Sequence, residues 1–306
     1  MPMNHRLLVP TQPPGILDFA PGAAAAYSLR NLSRSYAGPV VTVRRSTDSA
    51  EADFTAAEVS DGTLAAWCGG GDGFVKTWWD QSGNARHATQ ATAAAQPQIV
   101  DSGVLVTEGG RAAVRFDGAD DALTVPSSTA AFKFLHDGTL SGLFAVARFG
   151  SSSNPDTHCA LIGNNRATSA SAGILIRYDD RSIFSRSNRL DFLVTRDVSG
   201  TTVVESTEND TLTPNTQLIL AVLLNVSSAV ATKRALPYAN SVLVDIGNTK
   251  TSAPTTNNAS EDLHIGETGG GAGFLDGTIS ELIIYPADMT ALRTRIEGNI
   301  AWSYSV

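Results

Sequence analysis

The sequence predicts an all-β protein: a two-sheet sandwich of the jelly-roll kind, with a short N-terminal helix, a C-terminal helix and an extended N-terminal arm. Two observations predict this fold. Only 17% of the 306 residues are charged and 27 are glycine, a composition that suits sheets joined by many turns. In addition, about a dozen short segments alternate between apolar and polar residues or form β-branched runs, and turn sequences such as GADD, DVSG and GGGAG separate them.

The predicted arm comprises residues 1–22, which are rich in proline (Pro2, Pro10, Pro13, Pro14 and Pro21). Proline lacks an N–H donor and keeps the preceding residue extended. We expect the arm to pack either on its own domain or on a partner. The remaining residues, 23–306, are predicted to form one β-sandwich domain.

Helices are predicted at both ends of this domain. The segment AAAAYSLRNLSR at 23–34 predicts a short helix. Residues 286–303 predict a closing helix whose apolar stripe consists of Leu292, Ile296, Ile300 and Trp302. Between them, FVKTWWDQ at 74–81 alternates as a strand would, which places Trp78 and Trp79 on opposite faces.

Composition excludes several classes of partner. The net charge of −8, without a basic run, argues against nucleic acid. No apolar run approaches the roughly 20 residues that span a bilayer, so membrane insertion is not expected. The N-terminus lacks the pattern of a secretory signal, and we expect none. Cys68 and Cys159 are expected to be two small buried side chains rather than a disulfide framework.

Three groups of residues carry a resemblance to known proteins. Residues 25–54 (AAYSLRN…TDSAEADF) and 74–100 (FVKTWWDQSGN…) resemble the start of the catalytic domain of family 54 α-L-arabinofuranosidases, and also related domains of bacteriophage structural proteins. Residues 114–126 (VRFDGADDALTVP) are similar to the opening of laminin-G-like domains. Residues 274–304 are similar to their closing strand and helix. The resemblance implies the concanavalin-A-like lectin/glucanase superfamily.

The catalytic groups that this resemblance implies are incomplete here. The arabinofuranosidases carry a vicinal Cys-Cys pair and a nucleophilic Glu centrally, and an Asp in a later Gly-Asp-Asn turn. Residues 158–180 hold one Cys and no Glu, whereas HIGETGGGAG at 264–273 offers Glu267. Glycoside hydrolysis needs two carboxyl groups across the bond. Glu267 is therefore only a weak catalytic candidate, with Asp179 or Asp180 as its best partner, and we expect a protein that is not an enzyme.

Candidates for other sites are few. Asp117, Asp120 and Asp121 lie on one turn and could hold Ca²⁺, although such acids are more often simply solvated. No other cofactor is expected. The four histidines that could serve as metal ligands are isolated from one another in the sequence (His87, His136, His158 and His264).

The segment TWWDQSGN at 77–84 has three interpretations. Trp78 or Trp79 could stack on a sugar while Asp80, Gln81 and Asn84 bind its hydroxyls. Asp80 could be a catalytic acid. Alternatively, the polar side chains satisfy local backbone groups at a structural corner. We favour the corner, because the motif is shared by the enzymes and by the non-enzymatic phage domains.

These observations predict a bacteriophage virion structural protein, in a tail fibre, tail tip or capsid decoration, that assembles in the host cytoplasm. Residues 1–22 would attach it to other virion proteins, and the sandwich could bind host-surface glycan. A homo-oligomer is expected, with a trimer favoured. The alternatives are a carbohydrate-binding module or lectin outside phage, and an arabinofuranosidase-like glycoside hydrolase.

Overall fold

The computed structural model describes residues 13–150, 158–165, 171–181, 184–196, 202–248 and 252–304, with side chains omitted at 202–205 and 248. Within these ranges four α-helices occur: α1 (Ile16–Phe19), α2 (Ala56–Ser60), α3 (Thr63–Cys68) and α4 (Arg293–Tyr304). The first twelve residues of the predicted arm lie outside the described residues. No helix in the described part is long and apolar enough to cross a membrane.

The described chain contains twenty-two β-strands and only four short α-helices, which confirms the predicted all-β class. In the first half they are β1 (Ala25–Ser28), β2 (Val41–Arg45), β3 (Glu51–Phe54), β4 (Gly73–Trp78), β5 (Ala88–Thr89), β6 (Gln98–Asp101), β7 (Val104–Leu105), β8 (Thr107–Glu108), β9 (Arg111–Ala112), β10 (Val114–Asp117), β11 (Leu123–Val125) and β12 (Ser141–Phe149). In the second half they are β13 (Cys159–Gly163), β14 (Ala172–Asp179), β15 (Arg189–Arg196), β16 (Thr202–Thr207), β17 (Gln217–Leu224), β18 (Ala235–Ala239), β19 (Val242–Leu243), β20 (Ile246–Asn248), β21 (Leu263–Ile265) and β22 (Asp276–Tyr285).

The first sheet is organised around β22. This ten-residue strand pairs antiparallel with β12 along one edge, and with β1 and β10 along the other. From β12 the sheet continues through β17 to β18 and β19. From β10 it continues through β6 to β4.

The second sheet runs from β5 through β11, β21, β13, β14 and β15 to β16 and β20. Strand β4 joins the two sheets, because its first half pairs with β6 and its second half pairs with β5. The largest core cluster lies between the sheets. It joins Leu143 and Leu282 of the first sheet to Ile176 and Leu190 of the second.

A second apolar cluster covers the other face of the first sheet. It contains Phe144 and Ile283 from the sheet, Ile296 and Ile300 from α4, and Ile16 from α1. The closing helix is thus confirmed, although it begins at Arg293 and its Trp302 does not belong to the buried stripe: that indole is 54% exposed.

The helix predicted at 23–34 is wrong. Residues Ala25–Ser28 form β1, which pairs with Glu281–Ile284 of β22, and all four residues are buried. The small alanine side chains of β1 fit beside β22 within the core layers. This tertiary packing overrides the helix propensity of alanine. The N-terminal helix lies earlier, at Ile16–Phe19, where Ile16 is completely buried.

The strict alternation predicted for 74–81 is also wrong. A register shift occurs where β4 pairs with β2, since Thr42 faces Thr77 whereas Val43 faces Val75. Lys76 is therefore the extra residue of a β-bulge, which changes the side on which the following residues lie. As a result Val75 and Trp78 both enter the core.

The close packing around β22 predicts that replacing glycine by alanine has opposite effects on stability at Gly277 and at Gly298. A Cβ at Gly277 would lie 2.0 Å from the carbonyl oxygen of Arg148, whereas a Cβ at Gly298 in α4 would meet nothing within 4 Å. Gly277→Ala should cost roughly 2–4 kcal/mol of unfolding free energy. Gly298→Ala should stabilise by up to about 1 kcal/mol. Urea unfolding of both variants measures this; equal effects would contradict the packing described for β22.

Candidate active site

The outer face of the second sheet carries polar and charged side chains. In β14, Ile174, Ile176 and Tyr178 point into the core, so the alternate residues Leu175, Arg177 and Asp179 face outward. The same alternation turns Asp191 and Thr195 of β15 outward. In β21 the core takes Leu263 and Ile265, which leaves His264 on the outer face. Most of these outward side chains are buried, and this face holds the candidate functional site.

Glu267 and His264 form the central contact of this surface. A carboxylate oxygen of Glu267 meets Nδ1 of His264 three residues earlier, and Oγ1 of Thr124 lies 3.1 Å from the same nitrogen. The Glu267 side chain is 9% exposed and that of His264 14%. A carboxyl group, an imidazole and a hydroxyl that meet at one nitrogen can hold and move a proton.

The turn after Glu267 is anchored to neighbouring elements. Both the backbone N–H and the hydroxyl of Thr268 donate to the carbonyl oxygen of Ala272, at 2.9 and 2.8 Å. Gly269 packs so closely that an added Cβ would lie 2.6 Å from the carbonyl oxygen of Asn165 and 2.9 Å from the side chain of Glu261. Glu261 and Glu267 therefore flank one turn.

Two asparagines line the same region. The Nδ2 of Asn165 donates to Oγ1 of Thr195 at 3.3 Å, and Oδ1 of Asn164 accepts from the backbone N–H of Ile174 at 2.7 Å. The Nδ2 of Asn164 is buried and has no hydrogen-bond partner among the described residues. A buried donor of this kind is costly to leave unsatisfied. It is therefore a group that a bound hydroxyl could satisfy.

The carboxylates of Asp179 and Asp191 form a separate buried cluster with arginines. Nη2 of Arg177 lies 2.8 Å from Asp191 and 3.3 Å from Asp179, and Arg181 and Arg186 also bind Asp179, at 2.8 and 2.5 Å. Burial raises the pKa of both acids, but hydrogen bonds from Arg181 and Arg186 leave the pKa of Asp179 lowered. The pKa of Asp191 is raised by burial and by the hydrogen bond that the two carboxyl groups share.

The structure does not bring Glu267 together with Asp179. His264 faces Gly163 across the sheet, and Gly163 faces Leu175, so Asp179 lies two strands away and roughly 13 Å further along. Three guanidinium groups also bind Asp179, and it is completely buried. Its role is to hold the β14–β15 connection.

The segment 77–84 forms a corner that ties β4 to β1. The carboxylate of Asp80 accepts from the backbone N–H groups of Ala26, Ser82 and Arg86 at 2.9–3.0 Å. Gln81 exchanges hydrogen bonds with the backbone at 28–32, and Asn84 donates to the carbonyl oxygens at 23 and 24.

The tryptophans of this segment differ in their surroundings. Trp78 is completely buried and offers no surface to a sugar. Trp79 is half-buried, donates to Thr42 and packs on the ring of His87. The polar side chains are occupied by backbone groups, which supports the structural interpretation.

Removal of the Asp80 carboxylate should therefore weaken the fold. Asp80→Ala leaves three N–H groups without their acceptor, and we expect a loss of roughly 2–4 kcal/mol in urea unfolding. The matched control is Glu51→Ala, which removes an exposed carboxylate paired with Lys76 and should cost less than about 1 kcal/mol. If the two variants cost the same, the corner does not depend on Asp80.

The predicted calcium turn brings its three acids together. Asp117, Asp120 and Asp121 each offer a carboxylate oxygen, and these atoms lie within 4.8 Å of one another. Burial, together with the neighbouring charges of Asp117 and Asp120, raises the pKa of Asp121 to about 7. Oxygen donors of this kind suit Ca²⁺, and calcium binding at this turn stays a prediction.

The raised pKa of Asp121 predicts a stability that falls as pH increases. In the folded state the Asp121 carboxyl group keeps its proton up to about pH 7, whereas in the unfolded state it loses the proton near pH 4. The free energy of unfolding therefore falls as pH rises between these two values. Asp121→Asn should stabilise the protein at pH 8 by on the order of 1 kcal/mol and have little effect at pH 4. Urea unfolding at both pH values, without calcium, measures this; a gain that is equal at both would contradict it.

Known proteins share part of this sequence and its fold. The family model of the alpha-L-arabinofuranosidase B catalytic domain matches residues 18–124. This match confirms the resemblance that residues 25–54 and 74–100 carry. No curated protein sequence matches the chain.

Solved arabinofuranosidases share the fold. An arabinofuranosidase complexed with arabinofuranosyl-α-1,2-xylobiose aligns with a TM-score of 0.54 at 15% identity. A GH54 α-L-arabinofuranosidase soaked with a cyclic sulfate inhibitor aligns with a TM-score of 0.53 at 16% identity. A glutamate-to-glutamine variant of such an enzyme, soaked with 4-nitrophenyl α-L-arabinofuranoside, gives 0.55 at 15% identity. Each alignment covers 91% of this chain and 62% of the other, so this chain spans less than two thirds of those enzymes.

These comparisons overturn the prediction of a bacteriophage virion protein without enzymatic activity. The matching family model describes a catalytic domain, and the fold neighbours named above are glycoside hydrolases. The prediction gave weight to a resemblance of residues 25–54 and 74–100 to phage domains, whereas the family match supports only their resemblance to the enzymes.

Sequence reasoning missed several residues of the candidate site. His264 appeared as one of several scattered histidines, although its spacing of three residues from Glu267 was a usable signal. The contact of His264 with Thr124 joins positions 140 apart, and nothing in the sequence indicates it.

Proposed function

We propose that this chain is a glycoside hydrolase domain that acts on α-L-arabinofuranosides, built on a sandwich of the concanavalin-A-like superfamily. The observation that carries the proposal is the match of residues 18–124 to the arabinofuranosidase B catalytic domain. The shared fold of the solved arabinofuranosidases supports it. The outer face of the second sheet is the proposed substrate surface.

Glu267 is the proposed proton donor to the glycosidic oxygen. Its contact with His264, which Thr124 also touches, gives the carboxyl group a fixed orientation and a route for proton exchange. As the glycosidic C–O bond breaks, the proton of Glu267 goes to the leaving oxygen. A water molecule then supplies the hydroxyl group of the released sugar, and its other proton returns to the enzyme.

Glu261 is the proposed second carboxyl group. It flanks the same turn as Glu267, and its backbone N–H donates to the carbonyl oxygen of Asn164 at 3.2 Å. Strand β14 offers no carboxyl group beside this turn, because the residue that faces Gly163 there is Leu175. The Nδ2 of Asn164, which has no hydrogen-bond partner among the described residues, is the proposed donor to a sugar hydroxyl near Glu261.

Two substrates that differ in leaving group test the role of Glu267. A nitrophenyl arabinofuranoside departs with little help from an acid, whereas an arabinosylated xylo-oligosaccharide needs a proton. Glu267→Gln should therefore lower kcat/KM by about 10²–10⁴-fold on the oligosaccharide and much less on the aryl substrate. Rates are followed by released nitrophenol and released arabinose.

The control is Glu208→Gln, which changes an exposed carboxyl group far along the sheet and should leave both rates unchanged. Glu261→Gln should lower both rates together, because the second carboxyl group acts whatever the leaving group is. An equal loss on both substrates for Glu267→Gln would contradict its role as the acid. Failure of the unaltered protein to release arabinose from either substrate would refute the proposed function.

A further inference from the structure

Trp302 stands in a group of adjoining depressions on the α4 side of the molecule, away from the outer face of the second sheet. Its indole is 54% exposed, whereas Trp78 is completely buried. Three depressions of about 520, 370 and 270 Å³ each have Trp302 in their lining. We call them together the Trp302 cleft. A large exposed aromatic at the meeting point of three cavities is a typical anchor for a ligand.

The charge of the Trp302 cleft is opposite to that of the whole chain. The chain carries a net charge of −8. Four arginines line the cleft (Arg30, Arg34, Arg111 and Arg295), whereas none of the residues found to line it is Asp or Glu. Arg111 and Arg295 are exposed, and neither has an ion-pair partner among the described residues. The cleft therefore favours an anionic ligand.

One cation of the cleft is fixed by buried groups. Nε and Nη2 of Arg30 donate to the two carboxylate oxygens of Glu281 at 2.7 and 3.0 Å, and Nη1 donates to Oδ1 of Asn299 at 3.0 Å. Glu281 is completely buried, and the Arg30 side chain keeps 24% of its surface exposed. A guanidinium held in this way loses little freedom when it binds a ligand.

We propose that the Trp302 cleft binds an acidic oligosaccharide, with a sugar ring stacked on the indole and its carboxylate near Arg111 or Arg295. The aromatic face provides the apolar contact that sugar C–H groups favour, and Asn31 and Arg30 offer hydrogen-bond donors beside it. The guanidinium groups of Arg111 and Arg295, which no carboxylate of the described residues pairs with, distinguish a uronic acid from a neutral sugar, and that of Arg295 is held over the ring of Phe19. This site is separate from Glu267 and does not depend on hydrolase activity.

Calorimetric titration of the full chain with an oligogalacturonide tests the proposal. The matched probe is the same oligomer with its carboxyl groups methyl-esterified, which removes the charge. We expect the acidic oligomer to bind and the ester to bind at least about tenfold more weakly. Raising the salt concentration from about 0.05 M to about 0.5 M should weaken binding of the acid, because exposed charges are screened.

Two variants locate the binding. Trp302→Ala should weaken it by at least about tenfold, and the double variant Arg111→Gln with Arg295→Gln should abolish the preference for the acid. Phe184→Ala is the control, since Phe184 is exposed to a similar extent (56%) but does not line the cleft. Circular dichroism confirms that each variant is folded.

Three results would overturn the proposal. These are no binding of the acidic oligomer, equal binding by Trp302→Ala, or equal affinity for acid and ester. Binding that appears only after removal of residues 1–12 would show instead that the N-terminal segment is the occupant. If the unaltered protein binds the acidic oligomer but does not hydrolyse arabinosides, the proposed function is refuted and this site is not.

Discussion

The buried carboxylate of Glu281 is the constraint on which the first sheet depends. Glu281 lies within β22, which is buried along all but its first residue, and its own side chain has no solvent contact. A charge in such a position is tolerated only if it is paired and hydrogen-bonded. Arg30 supplies two hydrogen bonds, and the hydroxyl of Ser28 supplies a third at 2.9 Å.

The partners of Glu281 come from separate parts of the chain and are thereby fixed to one another. Ser28 belongs to β1, Arg30 follows that strand, and the hydroxyl of Tyr304 approaches from α4 at 3.3 Å. Arg30 also holds Asn299 of α4, whose Nδ2 donates to the carbonyl oxygen of Pro14. One buried charge therefore positions β1, the closing helix and the first described residues, and with the helix it positions Trp302.

The sequence predicted those parts of the fold that depend on local pattern. Short β-branched segments became strands, and the apolar spacing of Ile296 and Ile300 produced the closing helix. Local pattern failed where distant residues decide. Ala25–Ser28 is a strand because β22 lies beside it, and Val75 and Trp78 share the core because Lys76 forms a bulge against β2. Glu267 was found from its place in a turn, but its contact with His264 required the fold.

The two sets of acids on the second sheet differ in what surrounds them, and this difference supports the roles proposed for them. Asp179 and Asp191 meet arginines on several sides and are sealed from solvent. Their charge is compensated within the protein, so a substrate could approach them only by breaking those pairs. Glu267 instead meets one imidazole and keeps part of its surface exposed. A carboxyl group with a single titratable partner can exchange a proton with a ligand, whereas one held by three guanidinium groups stabilises the fold.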